Sequence, residues 1–393
     1  MQGISKSWPF FEEDEIQAAV DVLRSGKINY WTGEEGRLFE REFAEYCKCK
    51  YAVALANGTV ALELALAAVG VGQGNEVIVP SRTFVATASA VAKCGAVPVV
   101  ADVDPTSQNI TADTIGPLIS PNTKAIVAVH LAGWSCDMES IVELARKHDL
   151  KVVEDCAQAL GARYKGGMAG SLGDVAAFSF CQDKIMTTGG EGGMLTTNDS
   201  EVWEYAWEYK DHGKNHKKII QNSPEFGFRW LHDSFGSNLR LTEMQSAIGR
   251  IALKKVDAWV KKRRENASLL HNVFSRTTVA FAPIPPSEIY HAYYKFYAFV
   301  ESDNFKDGWH RDRVMSALND RGVPCYYGSC SEIYLEKAFH KLNIAPRERL
   351  PNARKLGETS LMFLVDPTIT QETIERNAAI IHNVLKEGRK KKI

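Results

Sequence analysis

The chain of 393 residues lacks any long uninterrupted run of apolar side chains and any strong excess of charge of one sign. No window approaches the roughly 18 apolar residues that a helix needs to cross a bilayer, so no membrane partner is expected. The formal net charge is -1, which gives no electrostatic reason to expect nucleic acid either. Residues 1–11 hold one lysine and no apolar core of a secretory signal, so we expect a cytoplasmic protein.

The chain also lacks the short motifs of several common sites. Its eight cysteines are scattered and form no C-x-x-C pair, so neither a zinc ribbon nor a thioredoxin-type site is predicted, and we expect no metal. In the cytosol such cysteines are interpreted as free thiols. The patterns G-x-G-x-x-G and G-x-x-x-x-G-K-[ST] are missing too, which leaves a dinucleotide-binding or P-loop protein without support.

What is present is the composition of a globular protein and a strand–helix alternation over the first half of the chain. Hydrophobic residues make up 45% and charged residues 24% of the sequence. Short apolar runs separated by Ala- and Leu-rich helical stretches are typical of strands buried on both faces of a mostly parallel sheet. Strands are predicted at 51–56, 76–79, 97–100, 124–130, 151–154, 174–179 and 193–196. The fold class is therefore α/β, and ligands are expected at the carboxyl ends of the strands.

The second half of the chain has a different pattern. Helical periodicity over 242–273 predicts one long helix that connects the sheet domain to a smaller one. A polar and aromatic loop is predicted at 214–230, and a strand is predicted at 293–300. Helices at 311–319 and 371–386 complete the smaller part. We predict a large domain over 1–250 and a smaller C-terminal α+β domain over 251–393.

One lysine stands out because of what surrounds it. Lys184 follows an apolar run and precedes a stretch, 187–193, in which four of the last five residues are glycine. Glycine is costly in a helix or strand interior but suits a tight turn, or a place where a flat ligand lies close to the backbone. A solvated turn lysine is the simpler interpretation, unless other residues are placed to make Lys184 a nucleophile.

Three features at predicted strand ends match what pyridoxal phosphate needs from a protein. The cofactor requires a lysine amine, a carboxylate beside its pyridine nitrogen and a cradle for its phosphate. Asp155 ends a buried strand, although an Asp there can also simply cap a turn. Gly58 and Thr59 open a helix after a strand, where free N–H groups favour a dianion. Ser179 could add a further hydrogen bond to the phosphate.

The helix start at Gly58 and the aromatic residue Phe84 each have an ordinary structural alternative. Asn57, just before Gly58, is a preferred capping residue, so that turn can be a plain helix start. Phe84 is predicted to open the helix after the second strand, over 83–93, where it could stack on the cofactor ring or belong to the core.

Several stretches together resemble the DegT/DnrJ/EryC1/StrS family, whose members include sugar aminotransferases with the type I fold of pyridoxal-phosphate enzymes. The resemblance rests on three cofactor motifs, which are Glu154-Asp155-Cys156-Ala157-Gln158-Ala159, Phe178-Ser179-Phe180 followed by Lys184, and Thr187-Thr188-Gly189-Gly190-Glu191-Gly192-Gly193. Supporting matches are Asn57-Gly58-Thr59, Arg82-Thr83-Phe84-Val85-Ala86-Thr87, His130-Leu131-Ala132-Gly133 and Gly236-Ser237-Asn238-Leu239-Arg240. They occur in family order from about residue 13 to residue 250.

The resemblance implies a role for each matched residue. Lys184 would bind the cofactor as a Schiff base, Asp155 would pair with the pyridine nitrogen, and Gln158 would lie near the ring. Phe84 would stack on the ring. Three residues would hold the phosphate, namely Gly58, Thr59 and Ser179.

The resemblance also implies a homodimer with shared active sites. Asn238 would reach the phosphate bound by the neighbouring subunit. The segment Tyr30, Trp31 and Thr32 corresponds to a region that lines the sugar pocket in the family. One stretch departs from the family pattern: many relatives place a Pro- and His-containing segment where this chain has 325–330, so nucleotide contacts are not carried over from there.

The reaction implied is transamination, with pyridoxamine phosphate as the intermediate form of the cofactor. Glutamate would donate the amino group to the ketone of a nucleotide-linked keto-deoxy sugar, with a 4-keto-6-deoxy sugar for bacterial surface polysaccharide as the first choice. A 3-keto sugar for antibiotics or glycans stays open as an alternative. Relatives that act as sugar dehydratases carry His where this chain has Lys184, and a non-enzymatic regulator would not need Lys184, Asp155 and Gln158 intact.

Overall fold

The computed structural model describes residues 7–220 and 229–390. Within them lie fourteen α-helices, which are α1 (Glu13–Ser25), α2 (Glu35–Cys47), α3 (Gly58–Ala68), α4 (Ala86–Lys93), α5 (Ala112–Ile115), α6 (Met138–Lys147), α7 (Ser200–Tyr209), α8 (His216–Ile220), α9 (Glu243–Leu253), α10 (Val256–Phe274), α11 (Arg311–Asn319), α12 (Lys337–Leu342), α13 (Pro351–Thr359) and α14 (Gln371–Gly388). The strands of the described ranges are β1 (Tyr51–Leu55), β2 (Glu76–Pro80), β3 (Val97–Ala101), β4 (Thr123–Val129), β5 (Lys151–Asp155), β6 (Arg163–Tyr164), β7 (Gly167–Met168), β8 (Val175–Ser179), β9 (Gly193–Thr197), β10 (Ala280–Phe281), β11 (Ile289–Tyr290), β12 (Phe296–Val300), β13 (Cys325–Tyr326) and β14 (Ser360–Phe363).

The largest sheet has seven strands in the order β1-β9-β8-β5-β4-β2-β3. Strands β8, β5, β4, β2 and β3 pair in parallel, whereas β9 runs antiparallel to both of its neighbours, β1 and β8. The predicted α/β class and mostly parallel sheet are therefore confirmed, with β9 as the exception.

The strands are covered on both faces, as their continuous apolar runs predict. In β1, Val53 and Leu55 pack with α3 and its neighbours on one face, while Ala52 and Ala54 join the aromatic residues of α2 on the other. Successive side chains point to opposite faces of a strand, so an apolar residue is needed at every position.

Polar residues follow the strands at one edge of this sheet. Strands β1, β8 and β5 all run in one direction, because β9 is antiparallel to both β1 and β8. Asn57, Ser179 and Asp155, which follow or end these three strands, therefore meet at a single edge. Strand β9 begins at the same edge, at Gly193, after the loop that contains Lys184.

The C-terminal part of the chain has its own sheet and core. Four antiparallel strands lie in the order β10-β12-β14-β13. Helices α10, α11 and α14 pack on them, and their apolar residues between 267 and 385 form one cluster. This arrangement fits the smaller α+β domain that the sequence predicts, and the boundary at residue 250 stays a prediction.

The prediction of one long helix over 242–273 is wrong, because the chain turns at Lys254 and Lys255. The backbone N–H groups of these two lysines bond to the carbonyls three residues earlier, which tightens and ends α9. Lys255 is also paired with acidic residues at the start of α1. The turn allows α9 to pack against α1 and α2, while α10 packs against α14. Val256 and Val260 of α10 still belong to the cluster that holds the end of α9, and from Ala267 onward α10 belongs to the C-terminal core.

Three smaller boundaries also differ from expectation. Helix α4 begins at Ala86, so Phe84 precedes the helix instead of opening it. Strand β12 begins only at Phe296, since Tyr293 has a left-handed backbone with φ 48°. The predicted loop at 214–230 contains α8, and its residues 221–228 lie outside the described ranges.

Over residues 7–220 and 229–390, no helix is both long enough and apolar enough to cross a bilayer.

A buried ion pair lies against β1. The Lys210 ammonium is fully buried and contacts a carboxylate oxygen of Glu40, which also accepts the Ala54 N–H at 2.9 Å. The Tyr30 hydroxyl donates to the second oxygen of Glu40 at 2.9 Å and accepts the Trp207 indole N–H at 3.2 Å. The Lys210 ammonium also lies 4.1 Å from the centre of the Tyr30 ring. Tyr30 is therefore a core residue.

Replacement of Glu40 by a neutral residue should leave the Lys210 ammonium buried without a counter-charge. We expect Glu40→Gln to lower the free energy of unfolding by about 3 kcal/mol, since the Lys210 ammonium would stay buried without a counter-charge. Burial lowers the pKa of Lys210 below its ordinary value, so the unfolded chain binds this proton more tightly. The loss of unfolding free energy in Glu40→Gln should therefore decrease as the pH rises toward the ordinary pKa of lysine.

Urea unfolding at neutral and alkaline pH measures this effect. Glu45→Gln, on an exposed position of the same helix, is the control and should leave stability unchanged. Equal effects of the two substitutions would show that the pair of Lys210 and Glu40 contributes nothing to the free energy of unfolding.

Candidate active site

A cavity of about 1010 Å³ lies at the edge where the strands end. It is bounded by the sheet domain on one side and by the C-terminal sheet and its loops on the other. The sheet domain contributes Asn57, Gly58, Thr59, Thr83, Phe84, Thr87, Asp155, Gln158, Ser179, Asp183, Lys184 and Glu191. The C-terminal part contributes Tyr294, Lys295, Tyr297, Tyr326, Gly328, Ser329, Cys330, Met362 and Leu364.

The first turn of α3 forms one end of this cavity. The Asn57 side chain accepts the Val60 N–H at 3.0 Å and so caps the helix. Gly58 and Thr59, at the start of the helix, line the cavity, where N–H groups without intrahelical partners and the positive end of the helix dipole favour an anion. Ser179 lines the same end of the cavity.

Gly58 is required there by close packing. A Cβ atom on Gly58 would lie 2.5 Å from the Cβ of Ser179, and one on Gly193 would lie 2.3 Å from the carbonyl oxygen of Asn57. The turn after β1 therefore lies directly against the facing ends of β8 and β9. This contact brings the helix N-terminus and Ser179 to one end of the cavity.

The Asp155 carboxylate lies in the wall of the cavity. One carboxylate oxygen accepts the Thr87 hydroxyl at 3.0 Å, and the other accepts the Ala157 N–H at 3.1 Å. Burial raises the pKa of Asp155 above its ordinary value, although these two hydrogen bonds and the Lys184 ammonium oppose the shift. A cation placed beside this carboxylate would stabilise its charged form.

Gln158 and Phe84 also line this cavity, the first as a buried side chain and the second as an exposed one. The Gln158 side-chain oxygen accepts the Ala132 N–H at 2.9 Å, which fixes the orientation of its amide. Phe84 is 66% exposed, so its ring is a cavity wall and not part of the core.

Lys184 lies in the irregular loop between β8 and β9. Its backbone N–H donates to the Cys181 carbonyl at 3.1 Å. Its ammonium lies 5.1 Å from the centre of the Tyr294 ring and lines the cavity with Asp155. The amine and the carboxylate that the sequence predicts thus share one cavity.

Sequence reasoning missed the contribution of the C-terminal part to this cavity. The Tyr294 hydroxyl donates to Asp183, and the Lys295 ammonium lies 3.6 Å from the same carboxylate. Burial lowers the pKa of Lys295 and raises that of Tyr294. The only signal was the predicted strand at 293–300, and nothing in it indicated that the residues before β12 would reach Lys184.

A loop of the C-terminal part, at Gly328 and Ser329, also lines the cavity. Gly328 has φ 85°, and a Cβ there would lie 2.3 Å from the Tyr297 ring. The Tyr297 hydroxyl accepts the Ser329 N–H at 2.7 Å. Glycine is thus needed at this position for the loop to close against Tyr297.

Four residues predicted for the substrate or for the partner subunit do not line this cavity of their own chain. Tyr30 is buried, while Trp31 is partly exposed with the Lys214 ammonium 4.3 Å from its ring centre. The exposed Thr32 donates its hydroxyl to the Asn29 carbonyl at 3.1 Å. Asn238 pairs through its backbone with Asp211.

The functional groups that line the cavity match those that pyridoxal phosphate requires. A helix N-terminus with a nearby hydroxyl suits a dianion, a buried carboxylate suits a protonated ring nitrogen, and a lysine amine suits the aldehyde. The exposed Phe84 ring supplies a flat face beside them.

Comparison with known proteins agrees with this chemistry. The profile of the DegT/DnrJ/EryC1/StrS aminotransferase family matches residues 9–382. The chain belongs to this family. It is a pyridoxal-phosphate-dependent aminotransferase with the type I fold of such enzymes.

Individual relatives of this aminotransferase differ in the nucleotide that their names specify. The chain is 36% identical over 364 residues to the GDP-perosamine synthase of Caulobacter vibrioides, covering 90% of this chain and 92% of that protein. It is also 36% identical over 366 residues to the dTDP-3-amino-3,6-dideoxy-alpha-D-galactopyranose transaminase of Aneurinibacillus thermoaerophilus, covering 93% of each. The solved structure of an aminotransferase from Psychrobacter cryohalolentis superposes with a TM-score of 0.96 at 50% identity, covering 98% of this chain and 99% of that one.

A methyl group on Gly58 should distort the end of the cavity that the first turn of α3 forms. Gly58→Ala would force the turn away from Ser179, at a cost of about 1–3 kcal/mol, so we expect pyridoxal phosphate to bind about 5- to 150-fold more weakly. Absorbance titration of the apoprotein with the cofactor measures this affinity.

Gly116→Ala is the matched control, because Gly116 is also helical but has open space around its missing Cβ. It should bind the cofactor like the unaltered chain. Normal affinity in Gly58→Ala would show that the close contact with Ser179 does not affect cofactor binding.

Proposed function

We propose that this aminotransferase moves an amino group from glutamate to the ketone of a nucleotide-linked 4-keto-6-deoxy sugar, in the biosynthesis of bacterial surface polysaccharide. The observation that carries the proposal is the placement of Lys184 and Asp155 in one cavity with the N-terminus of α3. The names of the relatives support nucleotide sugars as the substrate class. The cavity of about 1010 Å³ has room for a substrate beside the cofactor.

Each cavity residue has a proposed part in the reaction. Bound pyridoxal phosphate supplies the electron sink that makes the substrate carbon acidic. Asp155 holds a proton on the ring nitrogen, and Gly58, Thr59 and Ser179 hold the phosphate. Each of these residues acts by binding or orienting.

Lys184 is the proposed proton carrier. Its Nζ, once free as an amine, takes the proton from Cα of the amino donor. In the second half-reaction it delivers a proton to the carbon that carried the sugar ketone. A free amine must be neutral to accept a proton.

The reaction chemistry favours transfer over elimination of a sugar hydroxyl. Dehydratases of this family carry His at the position of Lys184, so lysine supports aminotransfer. Relatives of equal identity are named for GDP- and dTDP-linked sugars, and one of them for a 3-amino sugar. Amination at C3 is therefore the second candidate.

The proposed active unit is a homodimer. Asn238 and the segment Tyr30, Trp31 and Thr32 do not line the cavity of their own chain. In the proposed dimer Asn238 contacts the phosphate in the neighbouring subunit, and the segment faces the sugar there. Because the Tyr30 hydroxyl is hydrogen-bonded to the buried Glu40, we assign the sugar contacts of this segment to Trp31 and Thr32.

Removal of the amine tests the function directly. Lys184→Ala should lower turnover by at least about 10⁴-fold, because both the Schiff base and the proton carrier are lost. The visible absorbance of the bound cofactor should disappear while the far-ultraviolet circular dichroism stays unchanged.

Lys147→Ala, which removes a lysine from the exposed face of α6, is the control and should keep both turnover and absorbance. Aminotransferase activity retained by Lys184→Ala would contradict the assignment.

A substrate panel tests the specificity. With glutamate as donor, we expect a 4-keto-6-deoxy sugar nucleotide to be aminated at least about tenfold faster than a 3-keto isomer, a preference of about 1.4 kcal/mol. Two-dimensional NMR of the product locates the new amine on the ring. An amine at C3 would favour the second candidate, and aspartate or alanine as the better donor would overturn glutamate.

A further inference from the structure

The N-terminal segment reaches the backbone of Lys184. The indole N–H of Trp8 donates to the Lys184 carbonyl at 2.9 Å, across 176 positions of sequence. On its other side, the Lys184 N–H donates to the Cys181 carbonyl within the local turn. The residue that bears the amine therefore has its backbone held from two sides, and only the Trp8 contact comes from a distant part of the chain.

Trp8 is itself held by two residues of α10. Its ring packs edge-on against Trp259, with ring centres 5.1 Å apart and planes at 82°. The guanidinium of Arg263 lies 5.0 Å from the centre of the Trp8 ring. A cation over an indole face is a favourable contact, and it is stronger where water is excluded.

Arg263 connects the Trp8 ring to Tyr294, which lies beside the Lys184 ammonium. It is 1% exposed and donates from Nη1 to the Tyr294 carbonyl at 3.2 Å. Among the described residues its Nε and Nη2 have no hydrogen-bond acceptor, so the Trp8 ring is one of the few groups that stabilise this cation. Burial lowers the pKa of Arg263 to about 10, which still leaves it charged at neutral pH. The Tyr294 ring in turn lies beside the Lys184 ammonium.

We propose that Trp8 is a positioning residue for Lys184: its indole N–H fixes the carbonyl of Lys184 so that the amine points toward Asp155 and the cofactor. The inference rests on the function proposed above. Lys184 lies in an irregular loop, where no strand or helix ladder holds its peptide. A displacement of about 1 Å in a reacting group can cost up to about 10²-fold in rate, far more than the hydrogen bond contributes to stability.

The test removes the N–H and keeps the ring. Trp8→Phe retains an aromatic face for Arg263 but has no donor for the Lys184 carbonyl. Replacement of Trp8 by 3-benzothienylalanine changes only the N–H to sulfur, and this second variant keeps the test valid if the phenylalanine packs poorly. The matched control is Trp259→Phe, which alters the same aromatic pair without touching the donor.

Two readouts distinguish positioning from packing. One is the rate at which the visible band appears when pyridoxal phosphate is added to the apoprotein, and the other is steady-state kinetics. We expect both Trp8 variants to form the band and to turn over about tenfold more slowly, with KM for the sugar nucleotide unchanged. Trp259→Phe should stay within about twofold of the unaltered chain in both measurements.

Two results would overturn the proposal. Unchanged band formation and kcat in the benzothienylalanine variant would show that the hydrogen bond does not position the lysine. Equal losses in the Trp8 and Trp259 variants, accompanied by equal drops in melting temperature, would assign the effect to packing. A chain that binds the cofactor through Lys184 but transfers no amino group would contradict only the proposed function, since the band-formation comparison would still decide the role of Trp8.

Discussion

The close contact between the turn after β1 and the ends of β8 and β9 is the constraint on which the candidate active site depends. Gly58 lies against Ser179, and Gly193 lies against the Asn57 carbonyl, with no room for a Cβ at either place. This packing brings a helix N-terminus beside a strand that ends in a hydroxyl. It also sets where β9 begins, and therefore how the loop that carries Lys184 must return. The N-terminus of α3 and the loop of Lys184 are thus parts of one packed unit at the cavity.

Buried charges add a second level of organisation around that unit. Asp155 is held by a hydroxyl and a backbone N–H. Lys210 is compensated by Glu40, and Arg263 by a backbone carbonyl and the Trp8 ring. Isolated charges are expensive in a dry interior, so each such group requires partners at defined positions. These requirements connect the N-terminal segment, the sheet and α10 to the edge where the cavity lies.

The C-terminal part of the chain completes the cavity. Tyr294 and Lys295 approach the loop of Lys184, and Tyr297 supports the wall formed by Gly328 and Ser329. The sheet domain and the C-terminal part together therefore enclose one cavity.

The sequence by itself determined the elements that follow from local pattern: the α/β class, the strand ends at Asp155 and Ser179, the capped turn at Asn57 and the glycines after Lys184. These are readable because strand burial, capping and backbone freedom act over a few residues. Only the tertiary structure decided which distant residues meet. The break at Lys254 is invisible to periodicity, because the apolar pattern continues through it: Val256 and Val260 pack in the same cluster as the end of α9, and α10 enters the C-terminal core from Ala267 onward. The burial of Tyr30 depends on Glu40 and Lys210, and the contact between Trp8 and Lys184 spans most of the sheet domain in sequence. Such contacts arise from packing between elements, and no short stretch of sequence encodes them.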